Sequence, residues 1–292
     1  MEEQGLDIDA VASVIRLAIE EDLLGGRDVT SEATIPAGQM SRGSFVSRAD
    51  GVVAGLTAAT GVIDMLCGPE VSSVEIVTPD GSRVAPGDVL ATVVAPTRLL
   101  LTAERTALNL LCHLSGVATL TSRWVDAVAG TSAKVRDTRK TTPGMRSLEK
   151  YAVRCGGGVN HRMALSDMAL VKDNHVVAAG GIAPAIAGVR ALDHSIPVEI
   201  EVDTLEALQV AIEAGVDEIL IDNFTTEMMR DAVAIRNEMR PEVRLEASGG
   251  LTNDTARAVA QTGVDLIAVG ELTHSARILD IGLDLDLDDI VE

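Results

Sequence analysis

The second half of this 292-residue chain repeats one pattern, in which a short apolar run ends in polar or glycine residues and an amphipathic stretch follows. The runs are AKVRDTRK, MALVKDN, VEIEVD, EILIDN, VRLEASGG and DLIAVGE, and the stretches between them include TLEALQVAIEAG and TNDTARAVAQTG. Strands that alternate with helices predict parallel pairing with right-handed crossovers. Because repeats of roughly 20–30 residues are typical of a (β/α) barrel, we predict an open barrel of about seven strands.

The first half of the chain follows a different pattern. Residues 10–24 have the apolar spacing of an amphipathic helix, and residues 28–96 contain short strand-like runs separated by glycine and proline. A further helical stretch, residues 98–129, leads into the second half. We therefore predict an α/β protein with two domains. A small α+β sandwich domain with an antiparallel sheet and a bridging helix spans residues 1–113, and the barrel spans residues 114–292.

One segment of the first half suggests a function without catalysis. DGSRVAPGDVLATVVAP resembles the hairpin of biotinyl- and lipoyl-like carrier domains, in which a lysine of the hairpin carries the cofactor. The first lysine of this chain is Lys134, well beyond the segment. Because no side chain there can be biotinylated or lipoylated, the carrier hypothesis is discarded.

Composition narrows the class of protein further. A net charge of −20 and a pI near 4.6 argue against a nucleic-acid partner. Charges interrupt every apolar run before the roughly 18 residues that a membrane span needs, and the acidic start MEEQGLDIDA is unlike a signal peptide. Three isolated cysteines favour a reducing cytoplasm over a zinc site. The acidity, with an Asp-rich C-terminus, fits adaptation to high salt, as in a halophile.

The positive charges are concentrated in one part of the chain. Residues 98–172 contain 12 Lys/Arg against 5 Asp/Glu, a local balance of +7, so the remainder of the chain carries −27. All four lysines lie in this window. Since arginine and lysine are the usual partners of carboxylates and phosphates, we predict an anion site here. Its candidate cations are Arg105, Arg139, Lys140, His161, Arg162 and Lys172, whereas Arg136 and Arg154 are expected to be structural.

The ends of the predicted strands supply the other candidates, because barrel chemistry takes place at the carboxyl ends of the strands. Glu201 and Asp222 end neighbouring runs, and a carboxylate in a barrel mouth is costly unless it binds hydroxyl groups or a cation such as Mg²⁺. Alternation along VEIEVD puts Glu199, Glu201 and Asp203 on one face. The late glycine-containing ends, Ser248–Gly250 and Gly270, are typical of a phosphate cradle.

With these residues assembled, the chain resembles the quinolinate phosphoribosyltransferase family, the nicotinate-nucleotide pyrophosphorylases (carboxylating). The resemblance runs through DLLGGRDVTS, GVVAG, ERTALNLLCHLSGVAT, DTRKTTPGMR, KYAVRCGGGVNHRMALSDMALVKDNH, EIEVD, ASGG and VGELTHSA, which is nearly the whole chain. It implies a pentosyltransferase of NAD biosynthesis that joins quinolinate to phosphoribosyl pyrophosphate. The products would be nicotinate mononucleotide, pyrophosphate and CO₂.

The resemblance also implies roles for individual residues. Those expected to take part in catalysis are Lys140, Glu201 and Asp222, of which Glu201 and Asp222 would also hold Mg²⁺. Those expected to bind quinolinate are Arg105, Thr138, Arg139, Lys140, His161, Arg162 and Lys172. Those expected to bind phosphoribosyl pyrophosphate are Lys140, Lys172, Asn174, His175, Glu201, Asp222, Ser248, Gly249, Gly250, Val269, Gly270 and Glu271.

Three further expectations follow from the resemblance. The active unit would be a homodimer with shared active sites, to which Arg105 contributes across the interface, and it could assemble further into a hexamer. Nicotinate phosphoribosyltransferases and a molybdenum-transport-associated group share the barrel, but the rich cation set favours a dicarboxylate. Glu271 departs from the small residue that is common at its position, and a carboxylate beside a phosphate loop is unfavourable unless it points away or helps to hold the metal.

Overall fold

The computed structural model describes the backbone of residues 6–291 and the side chains of residues 6–286. Residues 1–5 and 292, at the ends of the two predicted domains, lie outside it. The strands in chain order are β1 Met40–Ser47, β2 Gly51–Val52, β3 Ser73–Ile76, β4 Arg83–Val84, β5 Val89–Pro96, β6 Lys134–Arg136, β7 Ala169–Val171, β8 Val198–Val202, β9 Glu218–Asp222, β10 Arg244–Ser248, β11 Leu266–Ala268 and β12 Ile281–Val291. The helices are α1 Ile8–Leu23, α2 Val29–Thr34, α3 Leu56–Cys67, α4 Thr97–Ala127, α5 Arg146–Cys155, α6 Asp173–Ala179, α7 Ile182–Leu192, α8 Leu205–Ala214, α9 Thr226–Met239, α10 Asn253–Ala260 and α11 Glu271–His274.

The chain divides into two compact units that are not contiguous in sequence. Unit 1 takes in the chain up to Ser122, the segment Thr141–Gly157 and the chain from Glu271 onward, and unit 2 takes in Arg123–Lys140 and Gly158–Gly270. This grouping differs from a single boundary after residue 113. The reason is that α5 packs against α1 and α11, and β12 pairs with β1, so two later segments join unit 1.

Unit 1 contains an antiparallel sheet in the order β12-β1-β5-β3 and a two-stranded sheet of β2 and β4. The predicted antiparallel sheet of the first half is therefore confirmed, with β12 added from the far end of the chain. The predicted amphipathic helix is α1. Asp7 is its N-cap, and the Asp7 side chain accepts a hydrogen bond from the N–H of Ala10 (3.0 Å). Val11 and Ile15 are its buried residues.

Unit 2 contains a parallel sheet of six strands in the order β6-β11-β10-β9-β8-β7. All six apolar runs form strands, and the α/β barrel architecture is confirmed with six strands in place of about seven. Within the described residues, the only further pairing near β6 is an isolated parallel bridge between Arg136 and Val159. The barrel sheet is therefore open, with β6 and β7 as its two ends.

Alternation along the unit 2 strands separates apolar from polar side chains. Ile200, Ile219, Ile221 and Leu245 are completely buried apolar residues at alternate positions, and the intervening positions of the same strands are largely polar or charged. The polar positions form the inner face of the barrel sheet, where they line a cavity at the carboxyl ends of the strands.

No single helix in the described part of the chain has the length and hydropathy of a membrane span. The helices α6 and α7 meet that test only when taken together, across a bend of 89°.

Candidate active site

A cavity of about 460 Å³ opens within unit 2 at the carboxyl ends of the strands, a size that suits a small-molecule ligand. Its lining residues are Thr138, Arg139, Lys140, His161, Arg162, Leu170, Lys172, Glu201, Leu220, Asp222, Glu246, Ser248 and Ala268. Nine of the predicted site residues are thus brought together: Thr138, Arg139, Lys140, His161, Arg162, Lys172, Glu201, Asp222 and Ser248.

The inner face of the barrel has two layers that we name for the rest of the description. The mouth layer holds the residues at or just beyond the strand ends, which are Thr138, Lys172, Glu201, Asp222 and Ser248. The floor layer holds the residues two positions earlier on the same strands, which are Arg136, Leu170, Glu199, Leu220 and Glu246. Because side chains alternate along a strand, both layers belong to the same face of the sheet.

Two arginines of the cavity wall lie close enough for their positive charges to repel. Burial, and then the positive charge of Arg139, lower the pKa of the Arg162 guanidinium. Arg162 Nη1 donates to the carbonyl of Met168 (2.7 Å), but its Nε and the Nε of Arg139 are buried without a hydrogen-bond partner in the described residues. Neighbouring guanidinium groups with unsatisfied donors are unfavourable alone, and a bound carboxylate would satisfy both.

A fully buried carboxylate positions the loop that carries these cations. Asp137 follows β6 and accepts hydrogen bonds from the side chain of Asn160 (2.6 Å) and from the backbone N–H of His161 (2.8 Å). It therefore ties the end of β6 to the segment that holds His161 and Arg162. Sequence reasoning assigned Asp137 no role, although it is the acidic residue within the DTRKTT motif.

His161 is buried, and both of its ring nitrogens are engaged within the protein. Nδ1 accepts a hydrogen bond from the N–H of Arg162 (2.8 Å), so the ring proton resides on Nε2, which donates to Glu199 (2.7 Å). His161 is therefore neutral here, and its inclusion among the cations is corrected. The error arose because sequence gives the residue type but not the acceptor role that a neighbouring N–H imposes.

The tautomer of His161 also decides whether His161 and its carboxylate neighbours hold a metal ion. One ligand atom each of His161, Glu199 and Glu246 lies within 4.8 Å of the others, a spacing compatible with a metal ion. A metal on Nε2 would force the ring proton onto Nδ1, where it would face the N–H of Arg162. The cluster is therefore a hydrogen-bonded one, and the fitting place for a divalent ion is the mouth layer.

The floor layer contains an ion-pair network around Arg136. Its Nη1 donates to Glu218 (2.6 Å) and to Glu246 (2.5 Å), and all three residues are buried. Arg244 also pairs with Glu218, from a more exposed position. The network supports the structural role expected of Arg136. Arg154, on α5, likewise lies over the ring of Tyr151, 5.8 Å from its centroid.

Two floor carboxyls are strongly perturbed. Burial, and then the negative charge of Glu199, raise the pKa of Glu246 to about 7. Burial, and then the charge of Glu218, raise the pKa of Glu199 to about 7. Each of these two groups has one oxygen, Oε1, that is buried without a hydrogen-bond partner in the described part of the chain. The floor thus holds more carboxylates than its cations can satisfy.

The mouth layer presents two neighbouring carboxylates beside a lysine. Lys172 Nζ forms an ion pair with Glu201, and the side-chain amide of Asn223 donates to Asp222 (2.7 Å). Burial, and then the charge of Glu201, raise the pKa of Asp222. Mutual repulsion between two hard oxygen donors at a cavity mouth is what a divalent cation relieves, so this pair could hold a divalent cation.

The glycine-rich end of β10 has a packing reason for its sequence. Gly249 has φ +88°, and a Cβ there would come within 2.2 Å of Asn223 Oδ1. Asn223 itself has φ +58° and donates its N–H to the carbonyl of Ser248 (3.0 Å). The turn after β9 and the turn after β10 are therefore interlocked, which fixes Asp222 and Ser248 side by side.

The first glycine of GGGVNHR is likewise explained by packing. A Cβ on Gly156 would lie 2.4 Å from the carbonyl oxygen of Ala118 on α4. This glycine therefore allows two backbones of unit 1 to approach, which differs from the close approach to a ligand that the sequence also allowed.

Several predicted site residues do not line the cavity. They are Arg105, Asn174, His175, Gly249, Gly250, Val269, Gly270 and Glu271.

The structure gives each of the clearest cases another setting. Arg105 is exposed on α4 in unit 1. His175, in the first turn of α6, uses its Nδ1 to accept from the N–H of Lys172 (3.0 Å). The N–H of Val269 donates to the carbonyl of Arg136 (2.9 Å), so it is not available to a phosphate. Glu271 begins α11 and belongs to unit 1.

Leu170, Leu220, Glu246 and Ala268 line the cavity but were missed by sequence reasoning. The signal that could have found them is the strand period. Each of the four stands two positions before a predicted strand-end residue, namely Lys172, Asp222, Ser248 or Gly270, and therefore shares its face.

This chain is similar to known proteins over nearly its whole length. A family model described as quinolinate phosphoribosyl transferase, C-terminal domain, matches residues 117–284, and its N-terminal counterpart matches residues 28–115. The nicotinate-nucleotide pyrophosphorylase (carboxylating) of Mycobacterium leprae is 53% identical over 279 residues, which cover 96% of this chain and 98% of that protein. A probable nicotinate-nucleotide pyrophosphorylase (carboxylating) of Bacillus subtilis is 39% identical and covers 90% of each chain.

The structural comparison agrees with the sequence comparison. The crystal structure of NadC from Streptococcus pyogenes superposes with a TM-score of 0.91 at 36% identity and covers 98% of this chain and 99% of that one. Human nicotinic acid phosphoribosyltransferase, at 14% identity and a TM-score of 0.59, shares the fold alone. By its sequence over nearly its whole length and by its structure, this chain belongs to the quinolinate phosphoribosyl transferase family.

Proposed function

We propose that this chain is a quinolinate phosphoribosyltransferase (decarboxylating), an enzyme of NAD biosynthesis. It would convert quinolinate and phosphoribosyl pyrophosphate into nicotinate mononucleotide, pyrophosphate and CO₂. The single observation that carries the substrate assignment is the close pair Arg139 and Arg162, whose Nε donors are buried without partners on the cavity wall. Two guanidinium groups, each with an unsatisfied Nε donor, match a planar ligand with two adjacent carboxylates.

The mouth layer supports the assignment of the second substrate. Glu201 and Asp222 repel a dicarboxylate, so we assign them to the ribose hydroxyl groups and to Mg²⁺ rather than to quinolinate. Mg²⁺ held there would neutralise charge on the departing pyrophosphate. Lys140 and Lys172 can contact the phosphates as mobile point charges, and Ser248 supplies a hydroxyl at the neighbouring strand end. The backbone of Gly249 and Gly250 remains our proposal for the phosphate loop.

The chemistry that these residues would promote has two halves. In the first half, the bond from the ribose C1 to pyrophosphate breaks as the pyridine nitrogen attacks C1. Lysine and arginine side chains stabilise the leaving anion. Because both reactants are anions that repel each other in water, holding them together accounts for much of the rate. In the second half, the carboxylate beside the nitrogen leaves as CO₂, the electron pair of the broken bond stays on the ring carbon, where the adjacent pyridinium charge stabilises it, and that carbon then takes up a proton.

An assay with purified protein tests this function. Phosphoribosyl pyrophosphate and Mg²⁺ are supplied with either quinolinate or nicotinate, and mononucleotide and CO₂ are followed. We expect one CO₂ for each mononucleotide formed from quinolinate, and poor turnover of nicotinate. Equal turnover of the two acids, or mononucleotide formation from quinolinate without CO₂, would overturn the assignment. A nicotinate phosphoribosyltransferase would instead turn over nicotinate in preference to quinolinate and release no CO₂, and a molybdenum-associated binding protein would form no mononucleotide.

We further propose a homodimer with shared active sites, acting in a reducing cytoplasm. Two features support these proposals: Arg105 is exposed and does not line the cavity of its own chain, and all three cysteines are free thiols.

Arg105→Ala and Lys140→Ala should each be inactive. After dissociation and reassociation, a mixture of both should recover up to roughly a quarter of wild-type activity, because one site of each heterodimer carries neither defect. Verified heterodimers without activity would place Arg105 in its own subunit's site or in a structural role.

A further inference from the structure

We propose that Glu246 is a catalytic acid for the decarboxylation half of the reaction, giving its proton to the pyridine carbon that loses CO₂. The inference rests on the proposed function and adds a residue to it. Its starting point is a requirement of the chemistry. When the carbon–carboxylate bond breaks, the electron pair stays on the ring carbon, and that carbon must take up a proton to become the C–H of nicotinate mononucleotide. Some group at the cavity has to supply this proton.

The position of Glu246 fits this role. It lies on β10, two residues before Ser248 and on the same inner face, and it lines the cavity together with Arg139 and Arg162. A substrate carboxylate held by these arginines would come to the cavity wall that Glu246 forms. An ionised Glu246 would repel that carboxylate, whereas a neutral carboxyl group would not. After the transfer, the new carboxylate of Glu246 would be next to neutral CO₂ rather than next to an anion.

The contacts of Glu246 favour a carboxyl group that retains a proton. Oε2 accepts a hydrogen bond from Arg136 Nη1 (2.5 Å), while Oε1 is buried without a partner among the described residues. A bare carboxylate oxygen in that position is costly, and a proton there lowers the cost. Arg136 is shared with Glu218, so it cannot neutralise both carboxylates.

Charged and polar groups face Glu246 from the neighbouring strands, and burial and Glu199 outweigh the opposing effect of Arg136 on its pKa. Arg136 faces it from β6, and Glu218 on β9 competes for the same guanidinium nitrogen. Glu199 on β8 adds a negative charge, and His161 lies in the same cluster. Burial together with the charge of Glu199 raises the pKa of Glu246 to about 7. At neutral pH a substantial fraction of the protein therefore holds the proton.

Other cavity groups are less suited to the task. The Nδ1 of His161 faces an N–H, and its Nε2 proton is bound to Glu199. Lys172 is paired with Glu201, and Arg139 and Arg162 do not release protons near neutral pH. Lys140 is the rival donor, because it is an exposed ammonium group on the cavity wall. After the transfer, the Glu246 carboxylate would take up a proton from solvent before the next turnover, so the protons balance over the cycle.

Glu246→Gln tests the proposal, because it keeps the size of the side chain and removes the acidic proton. In a single turnover with quinolinate, phosphoribosyl pyrophosphate and Mg²⁺, pyrophosphate, CO₂ and mononucleotide are measured separately. We expect pyrophosphate release to continue while CO₂ release slows by at least about tenfold, so that the N-ribosylated dicarboxylate accumulates. Glu246→Asp keeps the carboxyl group but places it one methylene farther from the substrate, so its CO₂ release should fall behind pyrophosphate release by less. A merely structural role would slow both products together.

Glu218→Gln is the matched control, since Glu218 is an equally buried partner of Arg136 that does not line the cavity. Its ratio of CO₂ to pyrophosphate should remain that of the wild type. Equal release of both products by Glu246→Gln at the wild-type rate would overturn the proposal and leave Lys140 as the donor. A wild-type protein that releases neither product would instead overturn the proposed function itself.

A measurement on the wild-type enzyme covers the case in which the variants do not fold. The rate constant of the CO₂ step should fall by roughly tenfold per pH unit above pH 7, as expected for a required acid, while the pyrophosphate step should not follow it. A CO₂ step that stays constant from pH 6 to 9 would contradict the proposal.

Discussion

The mouth and floor layers of the barrel occupy the same strands and the same face, yet they treat charge in opposite ways. At the mouth, Glu201 and Lys172 are partly exposed and their ion pair can be exchanged for a ligand. At the floor, two residues deeper, Glu246 is buried and depends on Arg136, which also pairs with the buried Glu218 at the start of β9. A shift of about 7 Å along a strand therefore changes a charged side chain from a ligand-binding group into part of the fold. Removal of the floor cation Arg136 should accordingly cost stability, whereas removal of a mouth carboxylate should cost ligand binding.

The largest expected effect is on stability, at the floor. Arg136→Ala would leave Glu218 and Glu246 buried without their shared cation, and should lower the free energy of unfolding by about 3–5 kcal/mol. Urea unfolding measures the change. Arg244→Ala is the matched control, because Arg244 pairs with the same Glu218 from an exposed position, and should cost about 1 kcal/mol or less. Equal losses in the two variants would remove the distinction between the layers.

The next effect is on binding, at the cavity wall. Arg139→Ala should weaken quinolinate binding by about 2–4 kcal/mol, as expected when one partner of a desolvated charge pair is removed. Its free energy of unfolding should stay the same or rise, since the repulsion of Arg162 is relieved. Calorimetric titration and urea unfolding give the two quantities, with the exposed unit 2 residue Arg257→Ala as control. Unchanged affinity in Arg139→Ala would mean that the quinolinate site lies elsewhere.

A smaller effect should separate the two substrates. Glu201→Gln removes the charge of one mouth carboxylate and should weaken phosphoribosyl pyrophosphate binding or its Mg²⁺ dependence by about 1.5–3 kcal/mol, the usual range for bonds to charged groups. Quinolinate binding should be nearly intact, because an anion does not hold a dicarboxylate. Substrate titrations at several Mg²⁺ concentrations check this. A selective loss of quinolinate binding would reverse the assignment of the mouth layer.

The smallest effect concerns pH and the floor. The pKa of Glu246 is raised from 4.5 to about 7, so the folded protein binds more protons than the unfolded chain between these values. Its contribution to stability therefore falls as pH rises from about 4.5 to 7, and its full cost is present above pH 7. The free energy of unfolding of Glu246→Gln, taken relative to that of the wild type, should therefore rise by about 1–2 kcal/mol as the pH is raised from 5.5 to 8.

The exposed Glu242→Gln is the control for this pH effect. The pKa of Glu242 is lowered, so its titration is complete below pH 5.5 and its difference from the wild type should not change over that range. A Glu246→Gln difference that is equally flat would show that Glu246 is ionised throughout.

Sequence reasoning predicted the barrel because each of its apolar runs ends in a polar residue, and the same signal located Lys172, Glu201, Asp222 and Ser248. It missed β12, although the alternation LDLDLD is itself the period of a strand, because the aspartates were interpreted only as surface charge. A strand that pairs with β1 from the other end of the chain has no local signal for its partner. For the same reason the network of Arg136, which joins residues more than 80 positions apart, was out of reach.

The preference for quinolinate over nicotinate tests most directly whether the pair Arg139 and Arg162 binds a dicarboxylate. Binding of quinolinate and of nicotinate to the wild type and to Arg162→Ala, by calorimetry, forms a thermodynamic cycle between one carboxylate of the ligand and one guanidinium of the protein. If the arginine pair is a dicarboxylate site, the wild type prefers quinolinate, and the preference shrinks by about tenfold or more in Arg162→Ala, equivalent to about 1.4 kcal/mol of coupling. An undiminished preference in the variant would contradict the assignment of this cavity to quinolinate.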